Sequence, residues 1–190
     1  SESRLRANQR NAYRIFKNRY PNVQFAWSYK TNYLNAVCSV FHQEGSWAEV
    51  VSEFEYDKAR KLGIPAEHIL FNGPDKSDGA ITKAIREGAK IHIDHFDELY
   101  RIVELTDTLN LKAHVAIRVN MDVGVYPQWD RFGLNYDNTE AWQAIKRIMA
   151  NKRLKLVGLH AHIGTYIMTA EAYRVAATKL ATLAKSIYDE

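Results

Sequence analysis

Cys38 is the only cysteine in 190 residues, so no internal disulfide can form. Within its apolar, helix-like surroundings it reads as a small core residue rather than a nucleophile. No apolar run is long enough to cross a bilayer, and no signal peptide is visible at the amino terminus. A reducing cytoplasm is therefore the simplest home. No low-complexity linker divides the chain, no internal repeat stands out beyond a strand-and-helix unit, and no serine or cysteine is accompanied by a paired base. What is present is the composition of a soluble globular domain, 46% hydrophobic and 25% charged. The net charge of +4 comes from basic residues scattered among acids on helix faces, which reads as solvated surface, with no nucleic acid and no membrane as partner.

Six strands can be read, at Val23–Lys30, Trp47–Ser52, Ile69–Gly73, Ile91–Asp94, His114–Asn120 and Leu154–Gly164. Helices fall between them. Those at 35–44, 54–62 and 79–87 end at Gly45, Gly63 and Gly88, which suits left-handed caps, and longer ones span 96–109 and 140–150. Asp137, Asn138 and Thr139 lie where a cap for the helix at 140 belongs, and Thr169 precedes a last helix running towards Asp189. A first helix within Ser1–Tyr20 offers Leu5, Ala12, Ile15 and Phe16 for burial. Strict alternation of strand and helix predicts a parallel sheet with crossover helices. An open doubly wound sheet is one arrangement, but polar or small residues along one face of several strands favour a (β/α) barrel. A complete barrel needs eight strands and about 250 residues, so the sequence reads as a barrel with about six of eight strands, cut short.

Active sites of such barrels collect at the carboxyl ends of the strands. In Val23–Lys30, alternation sends Gln24, Ala26, Ser28 and Lys30 to one face, which puts the Lys30 amine at the rim. It is either a solvated strand-end lysine or a desolvated amine able to form a Schiff base with an aldehyde cofactor. In the fifth strand His114, Ala116, Arg118 and Asn120 share a face. Arg118 either pairs with a neighbouring carboxylate or donates to a cofactor oxygen. In the sixth, Leu156, Gly158, His160 and His162 are expected on one face, with Gly158 leaving room inside. His-x-His, with His92 and Asp94, is also a metal signal, but hydrogen-bonded strand histidines are commoner, and no metal is expected.

Tyr29-Lys30-Thr31-Asn32, Glu49-Val50-Val51-Ser52, Phe71-Asn72-Gly73-Pro74-Asp75-Lys76-Ser77, Ala116-Ile117-Arg118-Val119-Asn120, Arg131-Phe132-Gly133 and His160-Ala161-His162-Ile163-Gly164 together resemble the ordered motifs of the fold-type III pyridoxal-phosphate decarboxylases. The nearest likeness is to the diaminopimelate and ornithine decarboxylase group, over nearly the whole chain. It implies an alanine-racemase-like barrel binding pyridoxal 5′-phosphate over residues 1–190, with a C-terminal β-rich domain in complete members. By the same resemblance Lys30 is the lysine that bonds the cofactor, His162 stacks on its ring and Arg118 approaches its phenolic oxygen. Gly164 and Thr165 contribute to phosphate binding, Thr165 standing where the family often has serine. Glu49 takes a position usually held by aspartate, and Asn72 and His160 either serve a structural role, the commoner case, or support the site. The implied activity is decarboxylation of an amino acid or amino-acid-derived substrate by a homodimer. A non-catalytic cofactor-binding barrel, a racemase and a metal hydrolase are the alternatives. The stretch Met121–Asp130, containing Tyr126-Pro127-Gln128-Trp129, is shorter than in many diaminopimelate decarboxylases, so the resemblance does not extend to that substrate.

Overall fold

The computed structural model describes residues 1–125 and 127–190; Tyr126 of the 126–129 stretch lies outside the described residues. Its parallel strands are β1 (Ala26–Ser28), β2 (Trp47–Val50), β3 (Ile69–Phe71), β4 (Lys90–Ile93), β5 (Ala113–Asn120), β6 (Leu134–Asn135) and β7 (Leu154–His160). Helices α1 (Glu2–Lys17), α2 (Asn35–Gln43), α3 (Glu53–Lys61), α4 (Asp78–Glu87), α5 (Phe96–Leu109), α6 (Glu140–Ala150) and α7 (Ala170–Asp189) alternate with them, except that β5 is followed directly by β6. The sheet runs β1-β2-β3-β4-β5-β6, with β7 also pairing β5. The expected barrel architecture is therefore present, with seven strands rather than six among the described residues. The added strand, β6, pairs only through Val119 with Leu134 and Asn120 with Asn135, too short to leave a periodic signal.

Paired residues in a parallel sheet point to the same side, so the register sorts the two faces. Ala48, Val50, Ile69, Phe71, Ile91, Ile93, Val115 and Ile117 face outward and are fully buried beneath the helices. Each contributes about 1.5–3 kcal/mol of burial if it is a large aliphatic or aromatic side chain. The inner face is polar: Ser28, Glu49, Leu70, Lys90, His114 and Lys155 form one continuous row, and Ala116 with Gly158, then Arg118 with His160, form the rows above. The core is thus the shell between sheet and helices, and the inside of the curved sheet is left for chemistry.

Three expectations are corrected. The outer strands are shorter than alternation predicts: β1 ends at Ser28 in a 3-10 turn over Tyr29–Thr31, and β7 ends at His160. Leu156 does not share a face with Gly158 and His160. It pairs with Val115 on the apolar side, and a register shift leaves Val157 unpaired before Gly158 meets Ala116, so a bulge exchanges the two faces midway along β7. Finally, α1 buries no residue, and Ile15 and Phe16 are more than half exposed. Its contact with the end of α2 is polar instead: Arg6 and Arg10 both reach the Glu44 carboxylate, at 2.9 and 2.6 Å, and Gln9 donates to Ser46. Leu5 and Ala12 are left half-buried and Ile15 and Phe16 exposed, although Tyr13 and Phe16 both meet Phe25 edge-on, at 4.6 and 5.4 Å.

Candidate functional site

The rim begins with the turn that closes β1. Tyr29 is fully buried on the outer side, where its hydroxyl donates to His42 Nε2 at 2.8 Å while His42 Nδ1 donates to Ser46 O at 2.8 Å. Trp27 stacks on Phe41 at 3.7 Å and donates to Asn32 O at 2.9 Å. With its neighbours anchored outward, and Thr31 donating to Ser28 O at 2.7 Å, Lys30 is the residue left facing the open end. It is exposed there. On β2, Glu49 accepts from the Ser28 hydroxyl and, at 3.1 Å, from the Asn72 side-chain amide. The carboxylate is thus fixed by two donors on the strands either side.

Across the interior, Arg118 is buried and donates to Asp94 Oδ1 at 3.1 Å. Its guanidinium also lies 5.0 Å from the Phe132 ring centre. Both sequence readings of Arg118 are therefore compatible: one N–H serves a neighbouring carboxylate, and a guanidinium has four more to offer. Gly133 presses against this strand with φ +88, where a Cβ would come within 2.9 Å of Arg118 O, so a side chain at 133 would displace Arg118 itself.

Three imidazoles stand beside it. His92 and His160 are 5.1 Å apart between ring centres and tilted by 46°. Burial lowers the pKa of His92 to about 4, with the Lys76, Arg118 and Lys90 charges adding to it. Burial likewise takes His160 to about 2, helped by His92 and Arg118. His162, half-buried, is lowered first by burial and then by the Lys30 and Arg118 charges. All three are neutral near pH 7. Gly164 N–H donates to His162 Nδ1 at 3.1 Å, which fixes the ring's direction and places its proton on Nε2. The same bond occupies the Gly164 N–H, so a phosphate arriving here would meet Thr165, which is exposed, rather than that amide. Among the described residues no three His, Cys, Asp or Glu side chains are grouped to hold a metal ion.

Sequence reasoning passed over several residues that shape the site. Ser52 caps α3 by accepting from Glu55 N–H, and Glu55 reaches back to accept Val51 N–H at 2.7 Å, which holds the end of β2. The Ser-x-x-Glu spacing is a capping-box signal and was available. The end of β4 uses the same device with His95 as the cap: Glu98 N–H donates to His95 Nδ1 at 3.2 Å, and Glu98 accepts Asp94 N–H at 2.8 Å. Trp129 lies 5.9 Å from the His162 ring, tilted by 31°. Buried polar atoms without a partner among the described residues include Asn72 Oδ1, His92 Nδ1 and His160 Nδ1, all on inward-facing positions near the carboxyl ends. A large cleft, about 1070 Å³, lies elsewhere, along the edge of β7 between Tyr20, Val157, Leu180 and Ile187. It is lined mainly by apolar groups, with Lys155 among them, and holds none of the rim's titratable residues.

A parallel (β/α) barrel whose open end gathers an amine, a guanidinium and neutral imidazoles has the layout of a small-molecule site. The chain belongs to the pyridoxal-dependent decarboxylases, matching their pyridoxal binding domain over residues 6–189. It is 29% identical over 184 residues to the diaminopimelate decarboxylase of Aquifex aeolicus, covering 92% of this chain and 43% of that protein. It is 29% identical over 179 residues to the L-glutamyl-[BtrI acyl-carrier protein] decarboxylase of Niallia circulans, covering 89% of this chain and 41% of that one. Among solved structures, the diaminopimelate decarboxylase of M. jannaschii in complex with L-lysine superposes with a TM-score of 0.89 at 26% identity, over all of this chain and 46% of that one. The chain thus spans somewhat less than half the length of these relatives. Pyridoxal phosphate is the cofactor that family membership assigns.

Proposed function

We propose that this chain is the cofactor-binding barrel of a longer pyridoxal-phosphate-dependent decarboxylase acting on an amino acid or an amino-acid-derived substrate. The observation that carries the reading is the convergence of Lys30, Arg118 and a neutral His162 at one rim of the barrel, in a chain of this family. The residues fit the cofactor. The buried Asn72 and His160 atoms still need polar partners, and Arg118 has donors to spare beyond its bond to Asp94.

Pyridoxal phosphate, when bound, supplies a ring that accepts the electron pair left behind as a carboxylate departs. The protein's part is binding, orientation and charge. Lys30 presents the amine through which the cofactor is held. His162 offers a flat, uncharged face to the ring, its direction set by Gly164 N–H. Arg118 directs its remaining N–H groups to the phenolic oxygen, and Asp94 offsets its charge from the other side. Thr165 binds the phosphate with its hydroxyl, alongside the turn at Gly164. Glu49, held by Ser28 and Asn72, places a carboxylate on the strand beside Lys30.

The finer parts of the reading are a cytoplasmic homodimer, with a C-terminal β-rich domain completing the protein. The relatives' greater length supports the second domain. The exposed Tyr33, Leu34 and Phe54, next to Lys30 in sequence or across the β2–α3 connection, give a partner subunit apolar surface to bury. The relatives and structures described above are decarboxylases, which favours this reading over a racemase or a non-catalytic barrel.

Borohydride reduction of the protein mixed with pyridoxal phosphate, followed by peptide mass mapping, tests the reading. A pyridoxyl group is expected on Lys30 and is lost in Lys30→Ala. Reproducible modification of a different lysine, with Lys30 untouched, would overturn the assignment. Carbon dioxide release from a panel of amino acids should be lost in the same variant of the longer protein and should be slight for residues 1–190 alone, because they carry only the barrel's contribution to the site.

A further inference from the structure

Arg118 and Asp94 have a place in the proposed site, but a second buried ion pair beside them has none. The Lys76 and Glu98 side chains are 0% and 2% exposed, with Nζ 2.6 Å from Oε1. A pair this deep contributes little net stability, because desolvating two ions offsets most of their attraction, and apolar side chains of similar volume often do as well. Its connections lead to the site. Lys76 Nζ also donates to Gly73 O at 2.6 Å, which ties it to the loop leaving β3. Arg101, on α5, grips the same loop by donating to Lys76 O at 2.9 Å. The second oxygen of Glu98 accepts Asp94 N–H at 2.8 Å, and the Asp94 carboxylate accepts from Arg118 at 3.1 Å. The sequence Lys76, Glu98, Asp94, Arg118 is thus one continuous set of bonds from the β3 loop to the rim.

We infer that Lys76 is a positioning residue: through Glu98 it fixes the end of β4, so that Asp94 engages Arg118 from one side and leaves the other guanidinium N–H groups facing the cofactor. The inference rests on the assignment of Arg118 proposed above. Lys76 touches no ligand itself. Without its charge, Glu98 is left buried and unpaired, and relieving that strain by protonation or rotation weakens the hold on Asp94 N–H. Arg118 would then keep its charge but lose its direction.

A double-mutant cycle on cofactor binding separates this from a purely structural role, because residues that act through one another are not additive. The protein is titrated with pyridoxal 5′-phosphate and binding is followed by absorbance, with thermal unfolding measured alongside. Arg118→Met is expected to weaken binding about tenfold or more, as the loss of a hydrogen bond to a charged group does. Lys76→Met is expected to weaken it by a similar factor, yet to add nothing in the Arg118→Met background. Equal losses in both backgrounds would overturn the inference, as would unchanged binding in Lys76→Met while Arg118→Met shows its full loss. Unchanged binding in Arg118→Met would overturn the Arg118 assignment, and the inference with it. Should Lys76→Met fail to fold, Glu98→Gln, of the same shape but uncharged, replaces it in the cycle with the same expectations.

Discussion

Gly73→Ala is expected to lose about 3 kcal/mol or more of folding stability, from a left-handed backbone penalty of about 1–2 kcal/mol and a packing clash of similar or larger size. Gly73 has φ +100, and a Cβ there would sit 2.5 Å from Val51 O and 3.1 Å from Val51 C. The obstacle is backbone, so no rotamer change relieves it; the ends of β2 and β3 must part. Gly88 provides the control. It has φ +81 but no atom within 4 Å of a built Cβ, so Gly88→Ala should cost only about 1 kcal/mol. Urea unfolding of both variants checks the difference. Equal losses would show that the close approach of the β2 and β3 ends does not constrain the chain. Because Asn72 precedes Gly73 and Lys76 bonds its carbonyl, the variant should also bind pyridoxal phosphate poorly.

Acid should destabilise the protein earlier than carboxylate titration alone would. His92 and His160 have folded pKa values of about 4 and about 2, against an ordinary value of 6.5. Between those limits the unfolded chain binds protons that the native protein refuses, so stability is complete above pH 6.5 and falls as the pH drops below it. Each histidine contributes up to about 1.4 kcal/mol per pH unit, and the two together up to about 4 kcal/mol between about pH 7 and about pH 5. Urea midpoints measured across that interval test the sum. His160→Gln should make the dependence shallower by about half, since one of two similar groups no longer titrates. A wild-type midpoint that is flat from pH 7 to pH 5 would mean that both rings reach solvent.

Much of this architecture can be read from the chain because its strands and helices obey simple periods. Val115, Ile117 and Val119 alternate with Ala116, Arg118 and Asn120, and the structure keeps both sets on opposite faces. Gly45, Gly63 and Gly88 end their helices with positive φ, as their positions imply. Arg118 faces inward for the reason alternation gives, whereas Lys30 lies past the end of β1, in a 3-10 turn whose neighbours are anchored outward. The misses have physical sources. Two residues of β6 carry no period, and the extra residue Val157 has no compositional mark that distinguishes a bulge from continued alternation. Lys76 and Glu98 lie 22 positions apart, one on a loop and one in the first turn of a helix, where either alone reads as solvated. Only folding shows that each removes the other from water. The apolar positions of α1 divided: Leu5 and Ala12 are half-buried, but Ile15 and Phe16 stay exposed, because α1 is held to the end of α2 through Arg6, Arg10 and Glu44.

Among the described residues, Lys90, Arg118 and Lys155 take inward-facing strand positions and Lys30 stands at the rim, against Glu49 and Asp94 on the same wall, with Glu67 beside Lys90 and Glu55 near Lys30. A concave wall of one sign focuses its field into the opening, and a phosphate ester carries about two negative charges at neutral pH. Arrival of such a ligand is then faster than chance collision and slows with salt, as the screening length shortens from about 30 Å at 0.01 M to about 8 Å at 0.15 M. Departure answers to the short-range contacts at the rim, which salt screens far less. Capture and retention are thus expected to answer to different groups: the net charge of the interior weights the association rate, and a few side chains at its mouth weight the residence time.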